Sequence, residues 1–170
     1  MVRCNAGFCR NRGYWLALLL LITGLMGMGI YIQFVLLIEP CPLCILQRLA
    51  YLAVGGFAVL GLLLAPQGRR LSGLSALTAI PALAGLGVAI RQVWLQHNPP
   101  KISACGADMS YLLDTLPVDE VLVKVFRGTG DCSERAWEFL TLSIAEWSLL
   151  CFSAILLSLW LHRRWQLRRA

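Results

Sequence analysis

The sequence predicts an all-α polytopic membrane protein: an antiparallel bundle of four transmembrane helices with one long loop on a single side. Three observations carry the prediction. Residues AVILMFWYC fill 58% of 170 positions and only 14% are charged, where soluble domains average about 45–50% apolar, glycine included, and about 25% charged. The apolar residues gather in four long runs, and the charges are sorted between the segments that join them. This excludes a disordered chain, a nucleic-acid-binding tail and an ordinary cytosolic enzyme. Residues 1–170 read as a single membrane domain.

The first run spans about 14–38 and is unbroken by charge. The second, about 45–65, carries Gln47 and Arg48 at its start. The third, about 71–95, has Arg91 near its end. The fourth, about 141–161, has Glu146 near its start. Each is near or above the roughly 20 residues that cross a hydrocarbon core. The bilayer core offers backbone groups no water, so these segments must be helices. The first run is far longer than a signal-peptide core of about 7–15 residues, so it is expected to stay as a helix. Small residues recur inside the runs: Gly24, Gly27 and Gly29, then Gly55, Gly56 and Gly61, then Ala79, Ala82, Gly85 and Ala89. They let helix backbones approach closely in lipid. Pro81 is expected to kink the third helix.

The charges set a topology. Arg3, Arg10, Arg12, Arg69, Arg70, Arg163, Arg164, Arg168 and Arg169 flank the runs on one side, with no acid among them. All 9 acids lie on the other side, in the 39–44 turn, in the 96–140 segment and at the start of the fourth run. Short basic segments stay in the cytoplasm. Both termini are therefore expected inside, and the 39–44 and 96–140 loops outside. The net charge of +6 is a topology signal rather than a sign of nucleic acid.

Topology then sorts the 7 cysteines. Cys4 and Cys9 fall in the cytoplasmic tail, where thiols stay reduced. Cys151 falls inside the fourth run, as a small apolar residue. Cys41, Cys44, Cys105 and Cys132 all lie outside, and an even number in an oxidising compartment reads as two disulfides. Nearest-neighbour pairing gives Cys41–Cys44 and Cys105–Cys132. Pro40 helps end the first helix, and Pro42 suits the first turn of the second. Thiolates are favoured at helix N-termini, and Cys44 is the more helical of its pair. Arg48, four residues on, shares its helix face about 6 Å deeper, either as an anchor paired with Glu39 or as a cation beside a thiolate and an electron acceptor. The Cys105–Cys132 pair reads alone as a structural staple or as an exchanging disulfide. A zinc site of four thiols is disfavoured by the spacing of that second pair. Covalent haem is excluded because Ile45, not His, follows Cys44. The apolar stretch Asp119–Phe126 reads as a membrane-surface segment or a strand.

These motifs resemble those of DsbB, the bacterial inner-membrane thiol:quinone oxidoreductase family. The likeness rests on Pro40-Cys41-Pro42-Leu43-Cys44-Ile45-Leu46-Gln47-Arg48 and on Gly128-Thr129-Gly130-Asp131-Cys132-Ser133-Glu134 followed by Trp137-Glu138-Phe139-Leu140. It covers nearly the whole chain. The resemblance implies that a periplasmic DsbA-type dithiol attacks Cys105 and frees Cys132. Cys132 then attacks Cys41 and leaves Cys44 as a thiolate. Electrons would pass from Cys44, beside Arg48, to ubiquinone or menaquinone. Gln33 matches a family position; Arg91, Gln92 and Trp94 are further candidates to line the quinone ring, with interfacial anchoring as the alternative for each. His97 reads as a surface histidine or a proton relay. The competing functions are a disulfide-stapled scaffold without catalysis and a quinone-dependent epoxide reductase.

Overall fold

The computed structural model describes residues 6–38, 40–64, 69–98 and 137–168. Glu39, Cys105, Cys132 and the Asp119–Phe126 stretch lie outside the described residues. Four helices, α1 (Ala6–Phe34), α2 (Pro42–Leu64), α3 (Arg69–His97) and α4 (Ile144–Leu167), account for most of them. Each is long and apolar enough to cross a membrane. The chain is a multi-pass membrane protein with an all-α fold. Among the described residues, only a short hairpin of two-residue strands, β1 (Glu138–Phe139) against β2 (Leu142–Ser143), interrupts the helical order.

The helices pack in sequence, α1 on α2, α2 on α3 and α3 on α4. The Ala6 end of α1 and the Leu167 end of α4 share one end of the bundle, the terminal end. Cys41, Cys44 and the hairpin share the other, the cysteine end. The core is built from one stripe of each helix: Trp15, Leu18 and Ile22; Tyr51, Val54 and Ala58; Leu71, Ala82 and Ala89; Phe152, Ile155 and Leu159. The opposite faces leave Leu20, Leu52, Ile80 and Leu157 exposed. An apolar exterior on every helix is a lipid-facing surface.

Close approach is concentrated at two glycines. A Cβ on Gly61 would strike the Trp15 indole, and one on Gly85 would strike the Phe152 ring. That ring also stacks on Tyr51, centroids 4.1 Å apart. Gly24, Gly27 and Gly56 face open space within 4 Å, so the close-approach role expected for them is not met. α3 runs through Pro81 as one helix. At the terminal end α1 and α4 join through polar groups. His162 Nε2 lies 2.9 Å from Asn11 Oδ1, the Tyr14 and Ser158 hydroxyls are 3.1 Å apart, and Tyr14 stacks on His162 at 3.9 Å.

The helix ends differ from the hydropathy boundaries for physical reasons. α1 starts at Ala6 rather than residue 14; within that added stretch Arg12 Nε donates to the Leu62 carbonyl at 3.2 Å and Asn11 Oδ1 lies 2.9 Å from His162 Nε2. It ends at Phe34 rather than 38. Leu37 takes a left-handed φ of 55°, and the Ile38 N–H reaches back to Ile32 O at 3.4 Å. Val35, Leu36 and Leu37 stay exposed and apolar past this stop, so composition does not register it. α2 starts at Pro42 and α3 extends to His97. α4 begins three residues late, at Ile144, because Ser143 caps it in a capping box: Glu146 N–H donates to Ser143 Oγ at 3.3 Å and Ser143 N–H to Glu146 Oε2 at 2.7 Å. It passes residue 161 to Leu167 because arginines at a membrane edge snorkel, with the Arg164 guanidinium 4.7 Å above the Trp160 ring.

Candidate functional site

The site begins at the α2 N-terminus. Cys41 is the residue that caps α2. Its carbonyl accepts from Ile45 N–H at 3.1 Å, and its Sγ accepts from Cys44 N–H at 3.3 Å. Pro42, first in the helix, has no N–H to satisfy. This turn brings the Cys41 and Cys44 sulfurs within 2.6 Å of each other. The helix-terminal N–H therefore serves Cys41, while the sequence argument had favoured charge on Cys44.

Arg48 follows one turn deeper, and α1 holds it. Nη1 donates to Gln33 Oε1 at 2.6 Å, and Nη2 to the Gly29 carbonyl at 2.8 Å. Gly29 lies directly against it: a Cβ there would be in van der Waals contact with the guanidinium, at 3.4 Å. Gln33 thus reaches the site through Arg48.

The third contribution comes from α3. Gln92 Nε2 donates to Cys44 Sγ at 3.2 Å and to Cys41 Sγ at 3.4 Å. Its Oε1 accepts from Gln47 Nε2 at 2.7 Å. Gln96, one turn on, accepts from the capping Ser143 Oγ at 2.7 Å and ties α3 to the start of α4.

These groups border a cavity of about 350 Å³, within the size range of small-molecule pockets. Leu25, Met26, Met28 and Ile32 of α1 form one wall, and Ile144, Trp147 and Cys151 of α4 the facing one. Cys41, Cys44, Arg48 and Gln92 are among its polar and sulfur-bearing lining residues. The hairpin brings two more aromatic rings, Trp137 and Phe139, stacked at 5.9 Å. Trp147 Nε1 fastens it by donating to Phe139 O at 3.0 Å. Its two turn residues, Leu140 and Thr141, both have left-handed φ, 52° and 68°, a conformation that such two-residue turns demand and that usually goes to Asn or Gly.

Of the residues singled out in the sequence, Cys41, Cys44, Arg48 and Gln92 meet at the cavity, with Gln33 behind Arg48. Arg91 and Trp94 are not among the cavity-lining residues; Trp94 is 60% exposed, as an interfacial ring would be. His97 is exposed at the end of α3, its Nδ1 2.9 Å from Val93 O. Sequence reasoning missed Gln47 as the partner of Gln92, since nothing in the spacing joins positions 45 apart. It also placed the hairpin aromatics in a loop. The Ser143-x-x-Glu146 cap carries a signal legible in the sequence, the Ser-x-x-Glu signature. Cys151, read as packing alone, lines the cavity.

A membrane bundle with a dithiol pair at a helix N-terminus, facing an apolar cavity, is a membrane-embedded oxidoreductase of the thiol–disulfide class. A family model described as Disulfide bond formation protein DsbB matches residues 11–162, and the chain belongs to that family. It is similar to the Disulfide bond formation protein B of Azoarcus sp., 44% identical over 152 residues, covering 89% of this chain and 92% of the relative. The protein of that name from Aromatoleum aromaticum is 42% identical over 145 residues, 85% of this chain and 87% of its own. That from Xanthomonas axonopodis pv. citri is 41% identical over 164 residues, 94% and 93% of the two chains. The activity is accordingly an oxidoreduction in disulfide bond formation.

Proposed function

We propose that this chain reoxidises a periplasmic DsbA-type dithiol oxidase and passes the electrons to a respiratory quinone in the bacterial inner membrane. The observation that carries the reading is the Cys41–Cys44 pair opening onto an apolar cavity with the Arg48 guanidinium fixed in its wall. A soluble exchange enzyme has no use for such a cavity one helical turn into the membrane. The lining fits a quinone: aliphatic and aromatic walls suit a flat ring with a lipid tail, and Arg48 is the hydrogen-bond donor a ring carbonyl would take. Bound there, a quinone supplies a sink for two electrons and two protons.

The chain's own residues do the rest. Cys105 is proposed to accept the partner's thiolate, and Cys132, so released, to attack Cys41. Cys44 then holds the negative charge, with Arg48 and the Gln92 amide beside it. The arginine pattern supports an orientation with both termini in the cytoplasm and the redox cysteines in the periplasm, where oxidised pairs persist.

The test is partner-dependent quinone reduction by the detergent-purified protein, followed as loss of quinone absorbance with a reduced DsbA-type protein as donor. Turnover is expected in the parent and none above background in Cys44→Ser or Cys105→Ser. A folded parent without turnover on matched partner and several quinones sinks the reading, as does full turnover in Cys44→Ser.

A further inference from the structure

We infer that Gln92 is a catalytic residue of the disulfide chemistry and Gln47 its positioning residue. Together they aim an amide N–H donor at the Cys41 and Cys44 sulfurs and stabilise the charge that reaches Cys44 when that disulfide opens. The inference deepens the function proposed above and rests on it for the direction of exchange.

Both side chains are almost fully buried, Gln47 at 4% and Gln92 at 3% exposure. Buried amides need partners at both ends. Gln92 has Gln47 Nε2 on its oxygen at 2.7 Å and the two sulfurs on its nitrogen at 3.2 and 3.4 Å. In the disulfide and thiolate states the chemistry requires this polarity, since such a sulfur offers no proton and the NH₂ must face it. The amide oxygen must then meet a donor, and Gln47 supplies one.

The step is a thiol–disulfide exchange. An incoming thiolate bonds to Cys41 Sγ, the Cys41–Cys44 bond breaks, and its electron pair stays on Cys44 Sγ. One S–S bond forms and one breaks; the negative charge moves from the attacking sulfur to Cys44, and no electron leaves the sulfurs. Exchange is faster when the leaving thiol has a lower pKa. The Cys44 N–H goes to Cys41 Sγ at 3.3 Å, and the Gln92 amide brings a donor to Cys44 Sγ from another helix, at 3.2 Å. The titratable or charged groups lining the same cavity are Cys41, Arg48 and Tyr51 from the α2 segment and Cys151 from α4; among the described residues, the lining positions of α1 and α3 carry none. Arg48 provides charge, and Gln92 provides direction without adding charge.

The test uses the full chain in detergent with Cys44 as its sole cysteine. The rate of alkylation by iodoacetamide against pH gives the Cys44 midpoint. Gln92→Met removes the donor at similar volume and should raise the midpoint by about one pH unit, a tenfold change in thiolate fraction, the size of one hydrogen bond to a charged group. Gln92→Glu keeps the shape and should raise it further. Gln47→Met should raise it by less, because it loosens the amide without removing it. Unchanged midpoints in the Gln92 variants, with circular dichroism like the parent's, overturn the inference. The assay contains no quinone and no partner. Shifted midpoints in a chain that fails to turn over would therefore sink the proposed function alone, and unshifted midpoints in one that turns over would sink the inference alone.

Discussion

Arginine at position 48 is a costly residue inside a membrane span, by about 2.5–3.5 kcal/mol at mid-bilayer and less near an edge. What offsets that cost is geometric. A guanidinium presents its N–H groups as a rigid fork, and two of them serve Gln33 and the Gly29 carbonyl together. A lysine ammonium, a point charge on a flexible stem, cannot reproduce the fork. Arg48→Lys is therefore expected to lower quinone turnover about tenfold, and Arg48→Met about a hundredfold, by the loss of one and then both charge-assisted hydrogen bonds. Steady-state kinetics at several quinone concentrations checks this, and wild-type kinetics in Arg48→Met would remove the residue from the site. Arg48 was legible in the sequence because its spacing from Cys44 is local and helical. The contacts that fix it were not, since they come from α1. The Gln47–Gln92 pair was invisible for the same reason: helical period places a residue on a face but does not say which residue of another helix faces it.

Among the helices, small residues that look alike in the sequence do different things. Gly61 lies under Trp15 and Gly85 under Phe152, with no room for a Cβ at either, whereas Gly24 and Gly56 look onto open space. Gly61→Ala and Gly85→Ala are expected to destabilise by about 1–3 kcal/mol through overpacking. Gly24→Ala and Gly56→Ala should be neutral or stabilise by roughly 0.5–1 kcal/mol, because alanine loses less backbone freedom. Thermal unfolding in one detergent separates the pairs; equal effects at all four positions would contradict the packing described. Hydropathy found four spans here because lipid selects for composition along a helix's length. It placed their ends poorly. The reversal at Leu37 occurs within apolar residues, and the arginines of α4 remain helical beyond the apolar stretch. Both are decisions of the backbone and of side-chain reach, to which a hydropathy average is blind.

For the molecule as a whole, the arrangement of arginines predicts sidedness, and labelling checks it. A membrane-impermeant maleimide should modify Asn98→Cys in intact cells. It should reach Arg70→Cys only after permeabilisation, in a background without other reactive cysteines. Both positions are exposed, and the reverse pattern would invert the proposed orientation. The four-span fold was readable because charge and hydropathy are properties of whole segments. The cavity was not, because its facing walls come from the first helix and the last. That division has a consequence in time. Arg48 and Ile144 stand 96 positions apart, and at about 5–20 residues per second translation needs on the order of 10 s to cover the distance. For that interval the thiols of α2 and the charge of Arg48 already exist, while the wall that would seat an acceptor has not yet been synthesised. On the proposed function, the growing chain thus carries its Cys41–Cys44 pair before it can discharge it, and the arrival of α4 marks the moment at which an inert three-helix intermediate becomes an enzyme.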